Sequence, residues 1–140
     1  MNGASNPCVF CKIIDGSARS SQIYRDEYCV AFLDLNPINP GHTLVCPIRH
    51  VSSFTELEPK ESTAILATAQ RLARIQKSKL PGCSGVNVLL SDGEVAGQEI
   101  PHANFHVVPR AENDEFGWRR LGKAQTREEL DSIAALLHEH

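Results

Sequence analysis

An α+β fold with an antiparallel sheet is the architecture that the sequence predicts. Three strand-like stretches come first and lie a hairpin's distance apart, which suits antiparallel neighbours. From position 58 the apolar pattern changes to a helical period, and two further strand-like stretches precede a last helical one. The order β-β-β-α-β-β-α within 140 residues therefore predicts one domain of this class.

Turn-forming residues separate the first three predicted strands. The stretch QIYRDEYCVAFLD gives strands at about Gln22–Arg25 and Cys29–Leu33, joined by a charged turn. The segment NPINPG at 36–41 is dense in turn formers and must break the chain. The third strand then covers 42–48 and is bounded by Pro47.

One long amphipathic helix follows. Pro59 suits a first helical position, and Glu61 lies near the place where a capping box has its acid. The helix runs to about Lys79, and Pro81 with the next glycine stops it. Its apolar side is marked by residues at three-to-four spacing: Ile65, Ala69, Leu72 and Ala73.

The last third of the chain holds two strands and a second helix. GVNVLLS at 85–91 predicts a strand, a glycine-bearing loop follows, and HANFHVVP at 102–109 predicts the last strand. Thr126 and Glu129 form a capping-box pattern at the start of a helical tail, at about 126–140.

Composition and charge narrow the classes of function. The net charge is −3 and no Lys/Arg block occurs, so a nucleic-acid polymer is not expected as a partner, although one nucleotide could bind. No apolar run approaches the roughly 18–20 residues that span a bilayer, and MNGASNPCVFCK lacks a signal-peptide pattern. We therefore expect a cytoplasmic protein that does not bind membranes.

Cysteine spacing points to a metal or redox pair. Cys8 and Cys11 form a C-x-x-C knuckle, whereas the chain's other three cysteines are scattered. A redox role is disfavoured because no strand precedes the pair and no helix clearly follows it. A zinc site needs two further ligands, which the fold must bring from elsewhere in the chain.

A row of polar residues in the last predicted strand suggests a site. Alternation places His102, Asn104 and His106 on one face, about 6.6–7 Å apart, with apolar residues on the other. A half-buried strand with a polar outer face is the commoner explanation. A site for an anion is favoured by the preceding loop, because it ends in Gly97 and Gln98 and offers amide donors.

Three other histidines carry weaker signals when taken alone. His42 follows the turn at 36–41 and would be a surface residue. His138 and His140 belong to the tail and would be solvated.

Three stretches together resemble the histidine triad (HIT) superfamily over nearly the whole chain. They are CVFCKIIDG, YRDEYCVAFLDLNPINPGHTLVCPIRHVSSF and GVNVLLSDGEVAGQEIPHANFHVVPR. Within the superfamily, the chain looks like the C-x-x-C-bearing, Hint-like branch of nucleoside phosphoramidate hydrolases and nucleotide-binding proteins. The resemblance implies a single HIT domain at 1–140, with a zinc knuckle at 8–11. It also implies a homodimer in which two sheets join into one.

The resemblance also assigns residues to a nucleotide site for a purine nucleotide such as AMP. Phe10, Phe32 and Leu35 would wall the base pocket, and Asp34 would accept hydrogen bonds from the ribose hydroxyls. The apolar three could equally be core, and Asp34 could simply begin the turn. The positions around the α-phosphate are matched by Ser91, Gly97, Gln98 and the backbone N–H of Glu99.

Catalytic and metal positions follow from the same resemblance. His42 and His106 match the flanking active-site histidines, and Gln98 matches a further catalytic position. The four ligands of the zinc-bearing branch are matched by Cys8, Cys11, His50 and His102. His102 would then be mainly structural.

The chemistry implied is two-step nucleotidyl transfer, and this chain departs from it at one position. In the family a neutral imidazole attacks the α-phosphorus, and water then hydrolyses the nucleotidyl-histidine. Asn104 stands where that imidazole belongs, and an amide nitrogen has no available lone pair. Loss of a covalent nucleophile typically costs about 10⁴–10⁶ in kcat while binding survives. We therefore expect binding with little or no turnover.

Several alternatives remain. Asn104 could be a deliberate substitution for histidine, which the otherwise complete site favours, or the mark of a natural non-catalytic binding module. A dinucleoside polyphosphate hydrolase stays within the superfamily, and a C-x-x-C redox protein is the least favoured. Glu99 is a second departure, because many members have Ser or Thr there, so the leaving group is open. Trp118 is expected to shape the leaving-group side.

Overall fold

The computed structural model describes residues 8–117 and 122–138 and has the predicted α+β architecture. The strands form one sheet in the order β1-β2-β3-β5-β4, and every neighbouring pair is antiparallel. The helices are α1 (Val9–Asp15), α2 (Pro59–Lys79) and α3 (Arg127–Leu137), and the strands are β1 (Gln22–Arg25), β2 (Cys29–Leu33), β3 (Thr43–Pro47), β4 (Gly85–Leu90) and β5 (Phe105–Arg110). Trp118 and His140 lie outside the described residues.

Alternation along the strands divides the core between the two faces of the sheet. One face packs against α2 through buried residues that include Ala31, Val45 and Val107. On the other face, β2 and β3 meet α1 in a second apolar cluster. Cross-strand pairing places Phe32 opposite Leu44, and Leu44 opposite His106. These three side chains therefore form a row on the face that α2 does not cover.

Both predicted helix starts are confirmed by their capping boxes. The Glu58 backbone N–H donates to the Glu61 carboxylate at 2.8 Å, and Pro59 occupies the first turn of α2. Thr126 and Glu129 exchange the equivalent bonds at the start of α3. Within the described ranges, no helix combines the length and the apolar character that crossing a bilayer requires.

The expectation that no helix follows the C-x-x-C pair was wrong. The seven-residue α1 begins immediately after Cys8, whose Sγ accepts the Cys11 backbone N–H at 3.4 Å and so caps the helix. Gly16 ends it in the left-handed conformation, at φ 88°. A helix of two turns is too short to show a reliable apolar period.

The last strand starts three residues later than predicted. β5 begins at Phe105, so His102 and Asn104 lie in the irregular segment before it. The Ala103 N–H donates to the Val51 carbonyl at 2.8 Å, outside the ladder of the sheet. Strand alternation therefore does not put His102 on the face of His106, and the two side chains belong to different sites.

Candidate active site and metal centre

A cleft of about 870 Å³ opens on the sheet face that carries Phe32 and His106. It gathers side chains from α1, β2, β5, the 36–41 turn and the glycine loop before β5. All the residues predicted for the nucleotide and for catalysis line it: Phe10, Phe32, Asp34, Leu35, His42, Ser91, Gly97, Gln98, Glu99, Asn104 and His106. The fold thus brings together residues that span most of the chain, and their roles stay predictions.

The apolar end of the cleft is built by two rings. Phe10 and Phe32 are buried and meet edge to face, with centroids 5.4 Å apart at 69°. Leu35, by contrast, is 91% exposed, so it lies at the rim. A planar base could enter between such apolar surfaces.

Asp34 lines the cleft beside His42. One carboxylate oxygen accepts the Asn36 backbone N–H at 2.9 Å, so Asp34 does begin the turn. The other oxygen lies 3.5 Å from His42 Nε2 and stays available to a ligand at the cleft.

His42 is buried, at 3% exposure, and the expectation of a surface histidine was wrong. The 36–41 turn delivers it inward and is fixed by Asn39, whose side chain donates to the Pro109 carbonyl at 2.9 Å and to Asp114 at 2.8 Å. The polar environment that makes burial possible comes from partners distant in sequence, which the isolated residue could not reveal.

Hydrogen bonds fix the tautomers of the histidine pair. The Ile38 backbone N–H donates to His42 Nδ1 at 3.0 Å, so neutral His42 carries its proton on Nε2. That proton is donated to His106 Nδ1, 2.8 Å away. Neutral His106 must then carry its own proton on Nε2. The relay therefore makes His106 a donor towards a ligand in the cleft.

Burial keeps both histidines neutral near pH 7. It is the main cause that lowers the pKa of His42, and His106 adds to the effect while the Asp34 carboxylate opposes it. Burial likewise lowers the pKa of His106, against the carboxylates of Asp34 and Glu99.

Asn104 is held by its amide nitrogen. Nδ2 donates to the His102 carbonyl at 2.8 Å, and the residue is 9% exposed. The side chain lines the cleft, and its carbonyl oxygen and second N–H make no other hydrogen bond among the residues that the structure describes. Neither end of the amide has a lone pair suited to attack phosphorus.

The glycine loop is shaped by Gln98. Its side-chain oxygen accepts the Gly93 N–H at 2.8 Å, and its nitrogen donates to the carbonyls of Ser52 at 2.8 Å and Ile100 at 3.0 Å. Gly93 has φ 94°, which favours glycine. The Gln98 side chain therefore fixes the loop that forms one wall of the cleft, and its predicted catalytic contact stays a prediction.

Four ligand atoms converge beside the cleft. Cys8, Cys11, His50 and His102 offer sulfur and nitrogen atoms that all lie within 4.8 Å of one another. Cys11 Sγ is 3.2 Å from His50 Nδ1 and 3.6 Å from His102 Nδ1, and the two Nδ1 atoms are 3.1 Å apart. Bond lengths in tetrahedral zinc sites correspond to ligand separations of about 3.3–3.8 Å, so the shorter of these distances need open only slightly to admit the ion.

The orientation of His102 also fits a metal. Its Nε2 lies 2.9 Å from the Pro47 carbonyl, to which it can only donate, so Nδ1 turns its lone pair to the cluster. Burial lowers the pKa of His102, which favours the neutral, ligating form. The donor set, its spacing and this outer hydrogen bond all fit zinc, which would tie α1 to the segment before β5.

Two contributors to the cleft were missed at the level of sequence. The Ile38 N–H sets the His42 tautomer through its backbone, which leaves no trace in residue type. Gln76 lies on the buried side of α2, and its signal was a polar residue at an apolar-stripe position, eleven residues after Ile65.

Comparison with known proteins identifies the family. The sequence profile of the HIT domain matches residues 15–113. An uncharacterized HIT-like protein of Methanocaldococcus jannaschii is 43% identical over 107 residues, which are 76% of this chain and 81% of that protein. An adenylylsulfatase of Arabidopsis thaliana is 36% identical over 111 residues, which are 78% of this chain and 55% of that protein.

Solved structures agree. A HIT family protein from Bacillus subtilis superposes with a TM-score of 0.87 at 32% identity, covering 94% of this chain and 95% of the other. A zinc-bound histidine triad family protein from Mycobacterium smegmatis superposes with a TM-score of 0.75 at 36% identity, covering 94% of this chain and 95% of that protein. A histidine triad nucleotide-binding protein from Candida albicans superposes with a TM-score of 0.81 at 28% identity, covering 93% of this chain and 94% of that protein. With most of its length matched by the HIT domain and its fold shared with these proteins, the chain belongs to the HIT family.

Proposed function

We propose that this chain is a HIT nucleotide hydrolase or transferase scaffold that binds a nucleotide and scarcely turns it over. Its substrates would be nucleoside 5′-monophosphate conjugates with phosphoramidate or acyl leaving groups, and its ligand a purine nucleotide such as AMP. The family supports the scaffold, because its members here include a nucleotide-binding protein and an adenylylsulfatase. The lack of turnover follows from Asn104.

The observation that carries the proposal is the set of groups that line one cleft. Two apolar rings, the Asp34 carboxylate, the His42–His106 pair and the glycine loop all line it, and Leu44 separates Phe32 from His106 across the strands. A nucleoside monophosphate has matching parts: an apolar base, a ribose with hydroxyl donors, and an anionic phosphate.

Each remaining residue has a chemical task at the phosphate. His106, protonated on Nε2 by the relay, would donate to a non-bridging oxygen, and loop N–H groups would add donors where negative charge grows. In an active relative the middle imidazole would attack phosphorus, and the leaving group would depart with a proton. Asn104 cannot perform the attack, because the lone pair of its amide nitrogen is delocalised into the carbonyl; one N–H of that nitrogen donates to the His102 carbonyl.

We propose that Cys8, Cys11, His50 and His102 hold a structural zinc ion. When bound, zinc would supply a cross-link between α1 and the segment that carries Asn104. The zinc-bound relative from Mycobacterium smegmatis supports this proposal. His102 would then serve the metal and Asn104 would take the catalytic position.

We further propose a homodimer that joins two sheets. The sheet ends at β4 on one edge, where Val88 is half exposed. Light scattering at several protein concentrations tests this: a mass of twice the chain's 15.4 kDa supports the dimer, and the single-chain mass contradicts it.

Nucleotide binding is tested by calorimetry on the chain as it stands. AMP should bind, adenosine should bind more weakly, and inorganic phosphate weakest, because each fragment fills only part of the cleft. Phe32→Ala should weaken AMP and adenosine alike, whereas His106→Ala should weaken only AMP. No heat with AMP at millimolar concentration would refute the proposal.

A natural, never catalytic binding module is the second candidate. It is favoured by the hydrogen bond that satisfies Asn104 in place, whereas the complete set of groups around it supports a substitution in an equipped site. The Asn104→His variant separates the two. A nucleotidyl adduct detected by mass spectrometry supports the enzyme scaffold, and its absence, with AMP binding retained, supports the module.

A further inference from the structure

Gln76 is a buried amide inside the apolar interface between α2 and the sheet. It is 5% exposed, and its Nε2 donates to two backbone carbonyls, Gly41 O at 3.1 Å and Val107 O at 3.0 Å. Its Oε1 is buried and has no hydrogen-bond partner among the residues that the structure describes. An apolar side chain would fill the same stripe without burying an unpaired oxygen, so the amide requires an explanation.

The two carbonyls that Gln76 holds are neighbours of the paired histidines. Gly41 precedes His42, and Val107 follows His106. Pairing between β3 and β5 ends at Thr43↔Val107. Beyond that point Pro109 has no N–H with which to continue the ladder. The amide of Gln76 therefore supplies cross-strand donors at the place where the sheet stops supplying them.

A second contact packs the C-terminal end of α2 against the 36–41 turn. Gly41 has φ 97°, and a Cβ on it would lie 2.5 Å from Leu80 Cδ1, just beyond the last turn of α2. The helix thus meets Gly41 through a hydrogen bond from Gln76 and through a close packing contact from Leu80. Both fix the backbone that delivers His42.

We propose that Gln76 is a positioning residue of the nucleotide site. By holding Gly41 and Val107 together, it sets the separation of His42 and His106, and so maintains the relay that turns a donor of His106 towards the ligand. Gln76 touches no ligand itself. Its effect reaches the cleft only through the two histidines.

The test replaces Gln76 with methionine, which keeps the length and removes both donors. The ¹⁵N signals of the His42 and His106 rings report tautomer and protonation directly. In Gln76→Met these signals should shift and change their pH dependence, and AMP should bind about threefold to tenfold more weakly, as expected for losing one or two buried hydrogen bonds. In the Asn104→His background, kcat should fall more than KM rises.

Ile65→Val is the matched control. Ile65 is buried on the same helix and makes no hydrogen bond to Gly41 or Val107. Its replacement by valine should therefore lower the free energy of unfolding without changing the hydrogen bond between His42 and His106. Its imidazole signals and AMP affinity should equal those of the parent. If Gln76→Met also leaves both unchanged, the inference is wrong.

A second measurement, on the parent chain, tests the inference even if Gln76→Met does not fold. In the parent chain the Gln76 side-chain N–H protons should exchange slowly and shift when AMP is added. Rapid exchange with no shift overturns the inference. The inference rests on the proposed function only for its AMP readouts: failure of the parent to bind AMP would refute the function, whereas the imidazole signals would still test Gln76.

Discussion

Asn104 shows what a single residue position can and cannot disclose before the fold is known. Resemblance assigned it to the nucleophile position, and residue type alone excluded it as a nucleophile. The direction of its amide, with Nδ2 on the His102 carbonyl, could not be predicted because it depends on the irregular segment before β5. That bond holds the amide in place and uses one of its two N–H donors.

Glu99 adds a negative charge to the part of the cleft where we propose that the phosphate binds. It is exposed, it lines the cleft, and its carboxylate acts on the pKa of His106. Glu99→Gln should tighten AMP binding about twofold to fivefold at low salt, because one repulsion is removed, and less at high salt. Calorimetry at two salt concentrations measures this. Glu94→Gln, on the far side of the loop, is the control, and equal effects of both changes would contradict the assignment.

The free energy of unfolding should fall as the pH drops below about 6.5, the usual pKa of histidine in an unfolded chain. The folded pKa values of His42 and His106 are lowered, so the unfolded chain takes up protons first as the pH falls. Each histidine can contribute a slope of up to about 1.4 kcal/mol per pH unit in that window. Urea unfolding between pH 7.5 and 5 measures the slope. His106→Gln should reduce it, and an unchanged slope would contradict the burial argument.

At the scale of elements, the spacing of apolar residues and the capping motifs predicted most of the fold. Short or irregular segments were not predicted. The hairpin of β1 and β2 and the bounds of α2 appeared in the sequence because alternation and capping boxes are local signals. The two turns of α1 are too short to show an apolar period and begin at an unusual cap, Cys8, whereas the delayed start of β5 depends on a tertiary contact, the Ala103–Val51 hydrogen bond.

The contact between α2 and the 36–41 turn can be tested at Gly41. Gly41→Ala introduces a strained φ and requires the Leu80 side chain to shift, so it should cost about 1–3 kcal/mol in the free energy of unfolding. Gly82→Ala is the control, because Gly82 has a positive φ of 76° but no atom within 4 Å of its added Cβ. Urea unfolding compares them, and equal costs would show that the Leu80 contact adds nothing.

At the scale of the whole molecule, the proposed metal centre would join distant parts of the chain. Cys11 and His102 are separated by 91 positions, so spacing alone could not pair them and only resemblance did. The cross-link would hold α1, with Phe10, against the segment that carries Asn104. The cleft is therefore expected to depend on a metal that lies outside it.

Zinc removal should loosen the molecule. The purified chain should hold one zinc per chain by elemental analysis, and a strong chelator should lower the melting temperature by at least several degrees, because zinc binds the folded state. Cys8→Ser should have the same effect, whereas Cys83→Ser, outside the cluster, should not. A melting temperature that is unaffected by the chelator would contradict the structural role.

We propose that Asn104 alone separates this cleft from an active one. The direct test is hydrolysis of adenosine 5′-phosphoramidate by the parent chain and by Asn104→His, measured side by side at saturating substrate. The histidine variant should be faster by about 10⁴-fold or more, the usual contribution of a covalent nucleophile. Equal rates for the two proteins would contradict it.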